Sequence, residues 1–215
     1  MVSLIVIKEN QIGVMSMTRS IKQTIEAALI IGTLGVATIA GAMAQTASPK
    51  KLTAGILWHQ ILPRHLTYIQ DGHHGPIIYD FQDPNCPYCH ALYENEVPLI
   101  KAGKLTVRYV PVAFLTPSSP EEAADWLLSP DPLKTLNQFE TIVGEAFRSG
   151  SYRYLPKEKP SKKILKELKE NYYMMDALGF SGTPAVLYRV KDGQLGRIPG
   201  LMSKRQLAVL LPKLQ

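Results

Sequence analysis

The sequence predicts an α/β domain built on a strand–helix–strand unit. An apolar, β-branched and aromatic run, Ile77 to Gln82, stops at Asp83-Pro84-Asn85 and gives way to Ala91-Leu92-Tyr93-Glu94-Asn95-Glu96, a good helix former. A second run, Leu105 to Val112, follows, and strand, helix, strand with a crossover favours a parallel pair. Near the C-terminus, Pro184 to Val190 and Gly196 to Ile198 flank Lys191-Asp192-Gly193-Gln194, a hairpin signal. A chain of 215 residues with 46% apolar composition suits one domain of moderate size with a real core.

In chain order, Arg19 and Lys22 precede an apolar run from Ala27 to Ala40, and Ala42-Met43-Ala44 follows as a small-x-small cleavage site before Gln45. This is the layout of a secretory signal peptide over residues 1–44, with Met17 or Met15 as the start; a retained anchor competes, but the run falls short of the ~20 residues that span a bilayer. Residues 45–75 read as a polar leader and a linker-like helix, Leu52 to Leu62, ending before Pro63, then a strand from Leu66 to Gln70 and the turn-rich Asp71 to Pro76. The catalytic domain is expected over 76–215. Its Cys-bearing helix is expected to break around Pro98. A helical insertion, about 118–178, opens on the capping box Ser119-Pro120-Glu121-Glu122. A second helix starts after Asp131 with Pro132 at its first position, and Gly150 to Pro160 is a loop. Ser161 caps a third helix whose Ile164, Leu165, Leu168, Tyr172, Met175 and Leu178 form one stripe, closed by Gly179. Ser203 to Leu211 is a last amphipathic helix.

The chemistry centres on Cys86-Pro87-Tyr88-Cys89 between the first main strand and its helix. Both cysteines of the chain lie there, so no structural disulfide is available without consuming the pair, and an exported domain of this size needs none. With Cys86 at the first helical position and Cys89 one turn on, the helix dipole and unpaired N–H groups stabilise a Cys86 thiolate. The dipole supplies up to ~2 kcal/mol, about one and a half pKa units. Cys86 is thus the nucleophile and Cys89 the resolving thiol. Gly182-Thr183-Pro184, about one hundred residues on, is what a cis-proline beside a dithiol looks like. The net charge of +6 is scattered apart from Lys157 to Lys169, where it alternates with Glu and Leu as a solvated helix face does, which argues against nucleic-acid binding.

Asp83-Pro84-Asn85-Cys86-Pro87-Tyr88-Cys89 with Gly182-Thr183-Pro184-Ala185 resembles the thioredoxin-fold thiol:disulfide interchange proteins of the bacterial periplasm, in particular the DsbC/DsbG branch. The resemblance covers roughly Leu57 to Leu211. It implies a thioredoxin fold with a helical insertion between the Cys-x-x-Cys helix and the cis-proline strand, and no cofactor. It implies reduction or isomerisation of disulfides, or sulfenic-acid reduction, on exported proteins, and a DsbD-type inner-membrane reductant. Cys86 and Cys89 are carried over as the exchanging dithiol, Pro87 and Tyr88 as its dipeptide, Thr183 and Pro184 as the substrate-facing loop. Only Gln45 to Pro76 precedes the catalytic strand, too little for the dimerisation domain of that branch, so a monomer is expected. The other departure is Asp80, six residues before Cys86, where thioredoxin-like proteins carry a buried aspartate. A buried carboxylate there can take the Cys89 proton as that thiol attacks; the plain alternative is a strand-edge aspartate facing water.

Three other readings compete. A DsbA-like dithiol oxidase uses the same residues in the other direction. Cys86-x-x-Cys89-His90 also matches c-type haem attachment, with His90 as one ligand and Met174, Met175 or Met202 as the other, although the β-run and Pro87 argue against it. Cys86, Cys89 and a histidine could hold zinc or copper(I), but His59, His65 and the turn pair His73-His74 complete no ligand set, and no metal site is expected.

Overall fold

The computed structural model describes residues 52–151 and 154–215. The signal segment expected over 1–44, and the leader up to residue 51, lie outside the described residues. Five strands form one sheet in the order β1-β3-β2-β4-β5: β1 (Ile69–Asp71), β2 (Ile77–Gln82), β3 (Thr106–Pro111), β4 (Ala185–Arg189) and β5 (Leu195–Pro199). β2 and β3 run parallel, as the crossover requires, with Asp80 beside Tyr109; the other pairs are antiparallel. The crossover is α3 (Pro87–Lys101).

Strand periodicity divides the core in two. Ile78, Val107, Tyr109, Val186 and Tyr188 face a cluster completed by Leu92 and Ile100 of α3, Leu207 and Leu210 of α7 (Lys204–Leu210), and Trp126, Leu136 and Phe139 from α4 (Ser119–Leu128) and α5 (Pro132–Ser149). Tyr79, Phe81, Val110, Ala185 and Leu187 face the other layer, filled by Leu57, Trp58 and Leu62 from the N-terminal helical segment and by Met175 of α6 (Lys162–Ala177). Both faces being covered explains why β2 is buried along nearly its whole length. The hairpin between β4 and β5 turns at Gly193, whose φ of 87° favours glycine, and Gly196 admits the Tyr188 ring where any Cβ would collide with it.

Several boundaries differ from expectation. The N-terminal helical segment passes through a π-helical turn, Leu57–Ile61, and continues as α2 (Leu62–His65), so that Pro63 lies inside the helical segment rather than beyond its end. The strand expected at Leu66 to Gln70 is confined to β1. α3 is continuous, with Pro98 inside it. Ser118, not Ser119, caps α4, and it does so without a side-chain hydrogen bond. Asp131, Ser161 and Ser203 cap α5, α6 and α7 as expected. On α6, Leu165 and Tyr172 are exposed, while Asn171 is buried and bonds the backbone of Thr67 and Pro111, satisfying carbonyls that an apolar side chain would strand.

Candidate active site

β2 ends at Gln82, and the Asp83-Pro84-Asn85 turn delivers the chain to α3. Cys86 is the N-cap of that helix, one residue before the first helical position, because Pro87 takes that position with its preset φ and absent N–H. The sulfur itself does the capping: the Cys89 backbone N–H donates to Cys86 Sγ at 3.3 Å. Cys86 Sγ also lies 3.5 Å from the Thr183 carbonyl, and the Thr183–Pro184 peptide bond is cis. Sequence positions almost one hundred apart thus meet at one sulfur. Both cysteines are free thiols. Pro87 and Tyr88 are exposed, Tyr88 at 63%, beside the sulfurs.

The two thiols differ sharply. A hydrogen bond from the Cys89 side chain, opposed by burial and helped by Thr183 and the Cys89 and Tyr88 N–H groups, lowers Cys86 to about 6. Burial pushes Cys89 far upwards, and its hydrogen bond to Cys86 and the Asp80 charge push the same way. Cys86 is therefore ionised at neutral pH, and Cys89 holds its proton until the attack.

Asp80 points into the core beneath the dithiol, fully buried, with neither carboxylate oxygen hydrogen-bonded. Burial holds it well above the usual carboxylate range, and the Cys86 and Glu140 charges add to this. The water-facing alternative is excluded by that burial. Glu96, which sequence reasoning passed over as a helix-former, is a second fully buried acid, raised first by burial and then by the Asp80 charge, with the Tyr109 hydroxyl as the one group beside it that lowers it. Its spacing from Cys89 and Leu92, seven and four residues, places all three on one inward stripe of α3, the signal that could have found it.

Asp83, read from sequence only as a turn residue, is 1% exposed and accepts four hydrogen bonds. Oδ1 takes the Asn85 N–H at 3.0 Å and the Ser119 hydroxyl at 2.7 Å; Oδ2 takes the Phe114 and Leu115 N–H groups at 2.8 and 3.0 Å. The Ser119 hydroxyl expected to cap α4 is spent on this carboxylate instead.

His90 is engaged by the protein's own side chains: its Nδ1 sits 2.6 Å from Glu140 Oε2, its Nε2 lies 3.6 Å from Glu94 Oε1, and its ring stacks on Phe147. Burial lowers its pKa, but the Glu140 hydrogen bond and charge outweigh that and raise it. Met175 and Met202 are core residues in opposite layers. His73 and His74 are exposed in their turn, and His59 contacts Arg189. Among the described residues no group of three or more His, Cys, Asp or Glu is placed to hold a metal ion.

Known proteins are similar to this chain in sequence and in fold. DsbG, the thiol:disulfide interchange protein of Escherichia coli K12, is 33% identical over 135 residues, covering 63% of this chain and 52% of DsbG. DsbG of Pseudomonas aeruginosa is 32% identical over 135 residues, 63% of this chain and 50% of its own length. The chain thus spans about half the length of the curated relatives it matches. The catalytic domain of Proteus mirabilis ScsC superposes with a TM-score of 0.56 at 20% identity, over 75% of this chain and 97% of that domain, a likeness of fold. The thioredoxin-like domain family matches residues 67–215, from β1 through β5 and α7, and the chain belongs to that family.

Proposed function

We propose that this protein is a thiol–disulfide oxidoreductase that works on exported proteins through the Cys86–Cys89 dithiol. The observation that carries the reading is the Cys86 sulfur capping α3 against Thr183 and the cis-proline, with a protonated Cys89 buried behind it. The Cys86 thiolate attacks one sulfur of a client disulfide, so a Cys86–client disulfide forms and a client thiolate leaves. Cys89 then gives its proton to Asp80 and attacks Cys86 Sγ; the internal disulfide forms and the second client thiolate is released. The client gains two electrons and the enzyme dithiol loses them. In isomerisation a client thiol resolves the mixed disulfide instead, and the enzyme ends as it began; a client sulfenic acid is reduced by the same sulfur, releasing water. Pro87, Tyr88, Thr183 and Pro184 form the surface against which the client strand lies.

The matches to DsbG support thiol–disulfide interchange and a periplasmic location. The reductase or isomerase direction and a DsbD-type reductant are what the family resemblance implies, and residues 1–44 as export signal rest on their charged, apolar and small-x-small layout. The boundary expected at residue 76 moves towards the N-terminus in this reading: the helical segment from Ala54 and β1 pack into the catalytic domain with residues 76–215, and the leader is confined to the residues before them. A thiolate near pH 6 lies between the values of about 7 and about 3.5 known for thioredoxin and DsbA, which keeps a DsbA-like oxidase as the second reading. Cys86→Ser is expected to abolish disulfide exchange altogether. Trapping Cys86–Cys89 in cells with a thiol-alkylating reagent decides the direction: a mostly reduced pool supports the reductase or isomerase, and a mostly oxidised pool selects the oxidase.

A further inference from the structure

Helix α3 and its cysteines are joined to the helical insertion by a line of buried polar contacts that the exchange chemistry does not itself use. Of the four hydrogen bonds to the Asp83 carboxylate, only the one from Asn85 is local; the other three come from residues 31 to 36 positions away. Asn85, next to the nucleophile, donates its amide to Ser119 Oγ at 3.1 Å and to Glu122 Oε2. Glu122 is 2% exposed and lies 3.7 Å from Lys157 Nζ, in the loop after α5, where the Glu158 N–H also donates to the Glu121 carbonyl at 3.0 Å. The Asp83 backbone closes the line on the dithiol: its carbonyl accepts the Cys86 N–H at 2.9 Å. A turn that had only to connect a strand to a helix needs none of the long-range members, since the Asx bond to Asn85 suffices.

We propose that Asp83 is a positioning residue for thiol exchange: together with Asn85 it ties the turn bearing Cys86 to the Phe114-Leu115 loop and to α4, so that the helical insertion sets where the nucleophilic sulfur stands. This rests on the thiol-exchange reading. In-line attack on a disulfide tolerates little misplacement, and a shift of about 1 Å can cost on the order of a hundredfold in rate. The same turn keeps Cys86 extended at the N-cap, where its sulfur receives the Cys89 N–H. Loosening it therefore lowers both the rate and the thiolate fraction.

The test uses the full chain with Asp83→Asn and Asn85→Ala, each assayed well below its melting temperature. Two quantities are measured: the rate of attack on oxidised glutathione, and the pH midpoint of Cys86 thiolate absorbance. Asp83→Asn is expected to slow attack about tenfold or more and to move the midpoint upwards; Asn85→Ala, which leaves the Asp83 carboxylate in place, is expected to slow it about threefold with a smaller upward move. Wild-type rates and midpoints in both variants, with only the melting temperature reduced, overturn the proposal and leave Asp83 a purely structural residue. If Asp83→Asn does not fold, Asn85→Ala decides by the same criterion. A wild-type protein that fails to react with oxidised glutathione overturns the thiol-exchange reading instead.

Discussion

Asp80 and Asp83 are the same residue type, three positions apart, and almost equally hidden from water, at 0% and 1% exposure. Their surroundings are opposite. Asp83 has an N–H or O–H donor at every direction its oxygens can accept from, whereas Asp80 has none. A buried carboxylate that is fully hydrogen-bonded holds structure together. One left bare in an apolar layer destabilises the fold, and the proton transfer proposed for Asp80 is the use such a group can have.

Removing the satisfied acid is expected to have the largest effect on stability. Asp83→Ala leaves the Asn85, Phe114 and Leu115 N–H groups and the buried Ser119 hydroxyl without their shared acceptor and lowers the unfolding free energy by about 3–5 kcal/mol. Urea unfolding measures it, and a loss under about 1 kcal/mol erases the contrast between the two acids.

Next comes the Cys86 thiolate. Cys86 is depressed from 9.0 to about 6 on folding. An acid lowered in the folded state contributes stability above its unfolded pKa and loses it as pH falls through the folded value. The reduced protein should therefore lose up to about 4 kcal/mol between pH 9 and pH 6, and Cys86→Ser should not show this loss. A reduced form whose stability is flat across that window contradicts the thiolate assignment.

Asp80→Asn is expected to act in the reverse sense on the two observables. A carboxyl raised by burial opposes folding at neutral pH, so its removal stabilises the protein by about 1–3 kcal/mol. Resolution of a Cys86 mixed disulfide slows about a hundredfold, and stopped-flow release of the client thiol reads it. An unchanged resolution rate removes the proton-acceptor role. The smallest effect is assigned to Glu96→Gln, which relieves the second buried acid and raises stability by about 1–2 kcal/mol.

Much of the architecture was legible because it is periodic or punctuated. The apolar, β-branched and aromatic run of Ile77 to Gln82, the Asp-Gly turn after β4, the helix starts at Asp131, Ser161 and Ser203 and the spacing of Cys86 from Cys89 are local signals, and each reappears in the fold. Local rules misplaced Ser119, because a distant carboxylate outbids its own helix for the hydroxyl. They put Leu165 and Tyr172 in the core and missed Asn171, because helical spacing gives a stripe its direction but not its width. His90 was ambiguous by itself, and its partner Glu140 lies fifty residues downstream.

The amino-acid sequence alone determined the α/β class and the strand-turn-helix that holds the dithiol, and it singled out the sulfur proposed as nucleophile, since these depend on backbone propensity and on groups a few residues apart. Only the tertiary structure decided which carboxylate is bare and which is bound. It also decided that His90 belongs to Glu140 and that Thr183 meets Cys86. Hydrogen-bond satisfaction and desolvation are set by whatever the folded chain brings alongside, and nothing in a residue's own neighbourhood along the chain records that.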